Sequence, residues 1–301
     1  MVSTVQMITF VVLTYELIII MKYFIVDAFT NEPFGGNPAG VVLLEGGFPE
    51  EKLMQQVAAE LRYSETAFVQ QNSSQEFTVR YFTPASEVDL CGHATIATFG
   101  VLRQQGIVPD NSLCINHTLA GDLEINVGQQ VMMQMAPPLV VNKPIDIDRL
   151  HHIMAGNERV QWPTLPVEII STGLPDIMMP VMSLEALNAL QPDMDALSDL
   201  SRQLGVTGVH AFAITGDGYT AHVRNFGPLY GIPEESATGT ANGALTHYLH
   251  RQHLIPCPGE CRFLQGEAMR RPSVIATMLH DDGSINVGGQ YCIIARGELL
   301  P

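Results

Sequence analysis

Two segments of this chain read as helices with almost no polar face. "DLCGHATIATFGVLRQQG" covers residues 89–106 and "ESATGTANGALTHYLHRQ" covers 235–252. Gly, Ala and Thr ring the circumference of each. A helix without a polar stripe is usually enclosed on every side, and small side chains let the enclosing strands come close. Aligning Gly92 with Gly239 sets His93 against Thr240, Ala94 against Ala241 and Thr95 against Asn242. Acids stand just upstream of both segments, Glu87 and Asp89 before the first, Glu234 and Glu235 before the second. The chain therefore has to wrap two related helices in something, and the rest of the sequence says in what.

Most of the remainder alternates or is β-branched, with Gly, Asn, Asp and Pro between the runs. Strands are expected at 22–29, 39–44, 76–82, 122–127, 130–135, 166–171, 209–214, 220–226, 273–279 and 291–296. Other helices are expected at "PEEKLMQQVAAEL", with Pro49 in its first turn, at "DIDRLHHIMAG" and at "LEALNAL". A second echo pairs "GGNPAGVV" at 35–42 with "TGLPDIMMPV" at 172–181, each a Gly-X-Pro turn entering a strand. Two self-similar stretches in the same order suggest two related halves, joined at the Pro-rich "MAPPLVVNKP", 135–144. The architecture expected is two β-rich domains, each closed around one helix. If the halves face each other, the free N–H groups and positive dipole ends of both helices open into one cleft, which favours an anionic ligand, typically a carboxylate.

Charge narrows the partners. The chain has 31 Asp+Glu against 15 Lys+Arg and a net charge of −16. A nucleic-acid binder needs a basic footprint, and anionic membranes repel such a chain, so neither is expected as a partner. Five cysteines are a sparse, odd set, which fits reduced thiols and a cytoplasmic location better than a disulfide framework. Residues 1–20 are apolar but lack a basic n-region and a small-residue cleavage site, and Glu16 interrupts them. They are expected to be an extension outside the fold, with an added strand or helix as the next reading and a targeting segment as the last.

"DAFTNEPFGGNPAGVVLL", "LRYSETAFV", "VRYFTPASEVDLCGHAT", "STGLPD", "EESATGTANGAL" and "LQGEAMRRPS", taken together and in this order, resemble the phenazine-biosynthesis PhzF-like isomerases. The resemblance runs from about Met21 to Gly297. It implies an α+β fold of the diaminopimelate-epimerase type, with two pseudo-symmetric domains, each a barrel-like sheet around a central helix. The domains would be 21–136 and 137–289, with a last strand at about 290–301 joining the first. It further implies an isomerase without cofactor or metal, a homodimer, and a small carboxylate-bearing substrate in the interdomain cleft. The Glu of the family's S-E-T motif, its general acid/base, falls on Glu65. The His of C-G-H-A falls on His93, the second-domain acid on Glu235 and the hydroxyl that follows on Thr240. Gly92, Thr238 and Gly239 flank these as substrate-binding positions. Three positions depart from the family's usual E-D-P-x-T-G-S: Glu235 for Asp, Ser236 for Pro and Thr240 for Ser. They point to a different substrate rather than to a dead enzyme.

Other readings stay open. Epimerases of this fold use one thiol on each central helix. Here Cys91 holds the first position, but the second is Thr238, whose hydroxyl is far too basic to replace a thiolate. Cys91 then reads as a small buried residue. Glu234 reads as structural, and Asn242 as either a ligand contact or close packing. His247, His250, His253, Cys257 and Cys261 have no standard zinc spacing, and Trp162 and the methionines read as core. A ligand-binding protein without turnover is the remaining alternative.

Overall fold

The computed structural model describes residues 21–155 and 165–300. The expectations for residues 1–20 and for Trp162 lie outside them. In chain order the first half holds β1 (Met21–Ala28), β2 (Asn37–Leu44), α1 (Glu51–Leu61), β3 (Thr66–Gln71), β4 (Glu76–Phe82), β5 (Glu87–Val88), α2 (Gly92–Gln104), β6 (Ser112–Thr118), β7 (Gly121–Val127), β8 (Val131–Gln134) and β9 (Leu139–Val141). After α3 (Ile147–Ala155) the second half holds β10 (Glu168–Ser171), β11 (Pro175–Pro180), α4 (Leu184–Ala189), α5 (Met194–Leu204), β12 (Val209–Ala213), β13 (Ala221–Gly227) and β14 (Ile232–Glu235). It ends with α6 (Gly239–Arg251), β15 (Gly259–Gln265), β16 (Ser273–Leu279), β17 (Ile285–Gly289) and β18 (Tyr291–Leu299).

The pairings repeat. β1–β2 is antiparallel, β2–β3 parallel, β3–β4 antiparallel, β4–β6 parallel, and β6–β7–β8 antiparallel. The series β10–β11–β12–β13–β15–β16–β17 follows the same sequence of senses. A short strand, β5 or β14, leads into the central helix of each half. The final strands are exchanged: β9 pairs with β10 of the second half, and β18 returns to pair with β1 of the first. β8 and β17 pair with each other and seam the halves together.

The two central helices are enclosed as their composition demands. In α2 every residue from His93 to Leu102 is buried, and in α6 Gly239, Ala241–Thr246, Tyr248 and Leu249 are. Both belong to one continuous core. The strands divide their side chains by the period of two: Ile170 and Met178 face that core, while Ile169, Ile177 and Met179 face a second one built on α3, α4 and α5. On the first half, Met54, Val57 and Ala58 of α1 cover Val42, Phe68 and Phe82. α1 begins at Glu51 with Glu50 as N-cap, so Pro49 precedes the helix instead of opening it. α5 was not among the expected helices. It has a full set of signals, with Asp193 capping Ala196 N, Leu197, Leu200 and Leu204 on one face, and Gly205 at φ 65° ending it. Among the described residues no helix is long and apolar enough to cross a membrane.

Gly100 shows why the helices carry small residues. A Cβ built there would lie 2.5 Å from the ring of Tyr291 on β18. That ring cannot simply swing away, since Arg103 Nη1 donates to its hydroxyl at 3.0 Å. Ala would return about 1 kcal/mol of helix propensity, but overpacking costs about 1–3 kcal/mol. Gly100→Ala is therefore expected to lower the urea midpoint, and an increase would show that the packing yields.

His222, buried at the start of β13, lies between two carboxylates: Asp217 Oδ2 is 2.8 Å from Nε2 and Glu267 Oε2 is 2.6 Å from Nδ1. Burial by itself lowers the pKa of His222, but Glu267 and Asp217 outweigh it and the net shift is upward. A His with a raised folded pKa contributes stability that is complete below its unfolded value, about 6.5, and is lost as pH rises through the folded value. Urea midpoints of the wild type are expected to fall across that window by an increment that His222→Asn lacks. Parallel curves for the two proteins would refute this.

Candidate active site

The β8–β17 seam sets the geometry. Met133 and Val287 are register partners across it. Met133 Cε is 3.7 Å from where a Cβ of Gly92 would stand, and Val287 Cγ1 is 3.5 Å from that of Gly239. The seam thus runs beneath the first residue of both central helices and brings their N-termini to one place. The N-caps, Cys91 and Thr238, are extended in backbone and make no side-chain capping bond. Helix N-termini without a side-chain cap carry free N–H groups and a positive dipole end, which suit an anion.

Glu65 sits between α1 and β3. Its carbonyl accepts from Gly40 N at 3.1 Å, which fixes the backbone beside β2. Its Oε2 is 3.3 Å from His93 Nε2, with side-chain exposures of 16% and 5%. Ser64 Oγ is also 3.3 Å from His93 Nε2, and Cys91 Sγ is 3.3 Å from Nδ1. Burial, and after it the charge of Glu65, pushes the Cys91 thiol well above its usual range, with Glu235 adding to the effect. These influences disfavour the thiolate form of Cys91.

Glu235 closes the site from the other half. Thr238 Oγ1 donates to its Oε2 at 2.7 Å, and Asn37 Nδ2 donates to its Oε1 at 3.0 Å. Burial raises its pKa most. The facing His93 opposes that and Glu65 reinforces it, so the two half-sites share one electrostatic environment. Gln265 braces this end: its Nε2 donates to Glu235 O at 2.8 Å and to Thr238 Oγ1 at 3.0 Å.

Thr240 is the second residue of α6. Its carbonyl accepts from Thr172 Oγ1 at 2.8 Å, which ties the "STGLPD" turn over the helix end. Asn242 is fully buried, and its amide donates to Thr238 O at 2.9 Å and Gln265 Oε1 at 3.0 Å. Of its two readings, close packing is the one observed. Glu234 turns away into a two-pronged pair with Arg224, both contacts 2.8 Å.

Asn37, Ser64 and Gln265 were not singled out from sequence, although their motifs were. Asp176 was missed as well. It is 1% exposed, its Oδ1 has no hydrogen-bond partner among the described residues, and burial followed by the charge of Glu235 pushes its pKa up to about 7. Among the described residues the one set of three donors that could reach a common ion is Glu65, Cys91 and His93, and the His247–Cys261 cluster forms none. Cys261 lies buried in β15 while Cys257 is exposed.

The model of the phenazine biosynthesis-like (PhzC-PhzF) family matches residues 26–297. This chain belongs to that family. A protein of Deinococcus radiodurans named an uncharacterized isomerase is 36% identical over 92% of this chain and 94% of its own length. The trans-2,3-dihydro-3-hydroxyanthranilate isomerase of Pseudomonas aeruginosa is 30% identical over 92% and 98%. The crystal structure of the PhzF-family protein of Bacillus anthracis superposes with a TM-score of 0.85 at 27% identity, covering 94% of this chain and 99% of that one. As a PhzC-PhzF protein the chain is an isomerase, built as two pseudo-symmetric domains around paired helices.

Proposed function

We propose that this isomerase moves a proton between carbons of a small carboxylate-bearing substrate, with Glu65 as general acid/base and no cofactor. The observation that carries the reading is a carboxylate and an imidazole 3.3 Å apart beside two helix N-termini whose N–H groups are uncapped. The substrate carboxylate would accept hydrogen bonds from Gly92, Gly239 and Thr240 N–H groups. Glu65 would take a proton from a carbon conjugated with that carboxylate. The negative charge that develops would spread toward the helix N-termini, where fixed dipoles stabilise it. Glu65, now protonated and able to exchange that proton with solvent, would deliver a proton to a different carbon. His93, Glu235, Thr238 and the Thr240 hydroxyl would orient the substrate, and closing the cleft would exclude water.

The named activity of the Pseudomonas aeruginosa relative makes trans-2,3-dihydro-3-hydroxyanthranilate the first compound to try, with other cyclic unsaturated carboxylates beside it. The test is proton NMR in D2O. Deuterium at a new carbon supports isomerisation. Deuterium at an α-carbon with inversion would favour an epimerase, a reading weakened by the hydroxyl at Thr238, where that mechanism needs a second thiol. Ligand binding with no exchange would leave a binding protein.

A further inference from the structure

We infer that Asn37 is a positioning residue for Glu235: its side-chain amide, delivered from the other half of the molecule, fixes the direction of this carboxyl and favours its ionised form. The amide has two N–H donors and both are used, one on Glu235 Oε1 at 3.0 Å and one on Ala237 O at 3.0 Å. With Thr238 donating to Oε2 at 2.7 Å, each oxygen of Glu235 accepts a hydrogen bond. Donors to a carboxylate bind its charged form more strongly than its neutral one and so favour ionisation. These bonds work against burial, which alone would favour the neutral acid.

The loop carrying Asn37 is built to hold the amide still. Asn37 is 5% exposed at the start of β2. Gly36 before it has φ 62°, and a Cβ there would fall 2.2 Å from Ala28 O, so only glycine follows this path. Gly36 O accepts from Ser236 Oγ at 3.0 Å and Arg271 Nε at 3.0 Å. Arg271 Nη2 also donates to Gly35 O and to the buried Asp27, both at 2.7 Å. Ser236 adjoins Glu235 in the chain, so the loop is stapled to the strand end whose carboxyl it serves. Among side chains of this length, only Asn offers two N–H donors. Asp is isosteric and offers none when ionised. The arrangement makes the state of Glu235 depend on docking of the two halves.

The inference rests on Glu235 belonging to the proposed site but not on any substrate. The experiment therefore reads the carboxyl itself. Protein labelled with 13C at Glu carboxyl carbons is titrated by NMR, and the Glu235 signal is assigned by its loss in Glu235→Gln. Asn37→Leu, which keeps bulk without donors, is expected to raise the Glu235 midpoint by at least about 1 pH unit. Asn37→Asp is expected to raise it further, as one proton becomes shared between two carboxyls. Should Asn37→Leu not fold, Asn37→Asp at low pH retains shape and one donor, and keeps the question answerable. A Glu235 midpoint unchanged in Asn37→Asp would overturn the inference. Deuterium exchange then gives a separate result: activity in Asn37→Asp is expected to survive only at the acid end of the wild-type range.

Discussion

Glu65→Gln should lose proton transfer almost completely, by about 10²–10⁴-fold in kcat/KM, the usual worth of a general acid/base. Gln has the shape of Glu and still presents an oxygen toward His93, so the change isolates one property, the capacity to accept and return a proton. The loss should fall on kcat, with KM little altered, because in the proposed reading the backbone N–H groups of the two helices, and not Glu65, would hold the substrate carboxylate. Solvent deuterium should enter the substrate with the wild type and fail to enter with the variant. The control is the thermal melt, which should be unchanged within a degree or so, since Gln keeps the backbone bond from Gly40 N and the side chain itself faces His93. Exchange persisting at a tenth of the wild-type rate or more would remove Glu65 from the chemistry and shift attention to Glu235, the other carboxyl facing His93.

The largest stability effect is expected at Arg224. Its guanidinium grips Glu234 with two 2.8 Å bonds and donates to the carbonyls of Leu187 at 3.0 Å and Leu190 at 2.9 Å, at the end of α4. The side chains are only 11% and 16% exposed. Removing one partner leaves a desolvated charge uncompensated, which costs about 3–5 kcal/mol. Arg224→Met should show that loss in urea unfolding. Arg224→Met with Glu234→Leu should recover most of it, because an apolar pair of similar volume replaces a buried ion pair at little cost. A double variant as unstable as the single one would mean that the orphaned α4 carbonyls, and not the unpaired carboxylate, account for the damage.

What could be read from the sequence alone depended on how locally each feature is encoded. The two central helices were legible because smallness all round a helix has one common physical cause, enclosure. The strand runs were legible where one face is buried and the other wet, as in Ser273–Leu279, whose burial alternates without a break. Gly259–Gln265 alternates as cleanly, but its Glu, Cys and Arg hid the pattern behind a possible metal cluster. Glu65, His93 and Glu235 came from motifs, and the fold does bring them together. Asn37 could not be found that way. Its importance lies in a partner 198 residues away, and no local pattern records that distance. The same holds for Asp176, whose neighbours arrive from other strands of the sheet.

The exchange of β9 and β18 has a consequence for ancestry. The two strands are counterparts, each the last of its half and each donated to the other half. A polypeptide carrying a single half would have no strand of its own to lay against its first one, and two copies would supply each other's by swapping. The present chain has the strand connectivity that such a swapped pair would have if joined end to end. Halves joined in one chain need not be identical, and here one helix carries His93 where the other carries Thr240. The result is an asymmetric pair of helix starts, with an imidazole at one and a hydroxyl at the other.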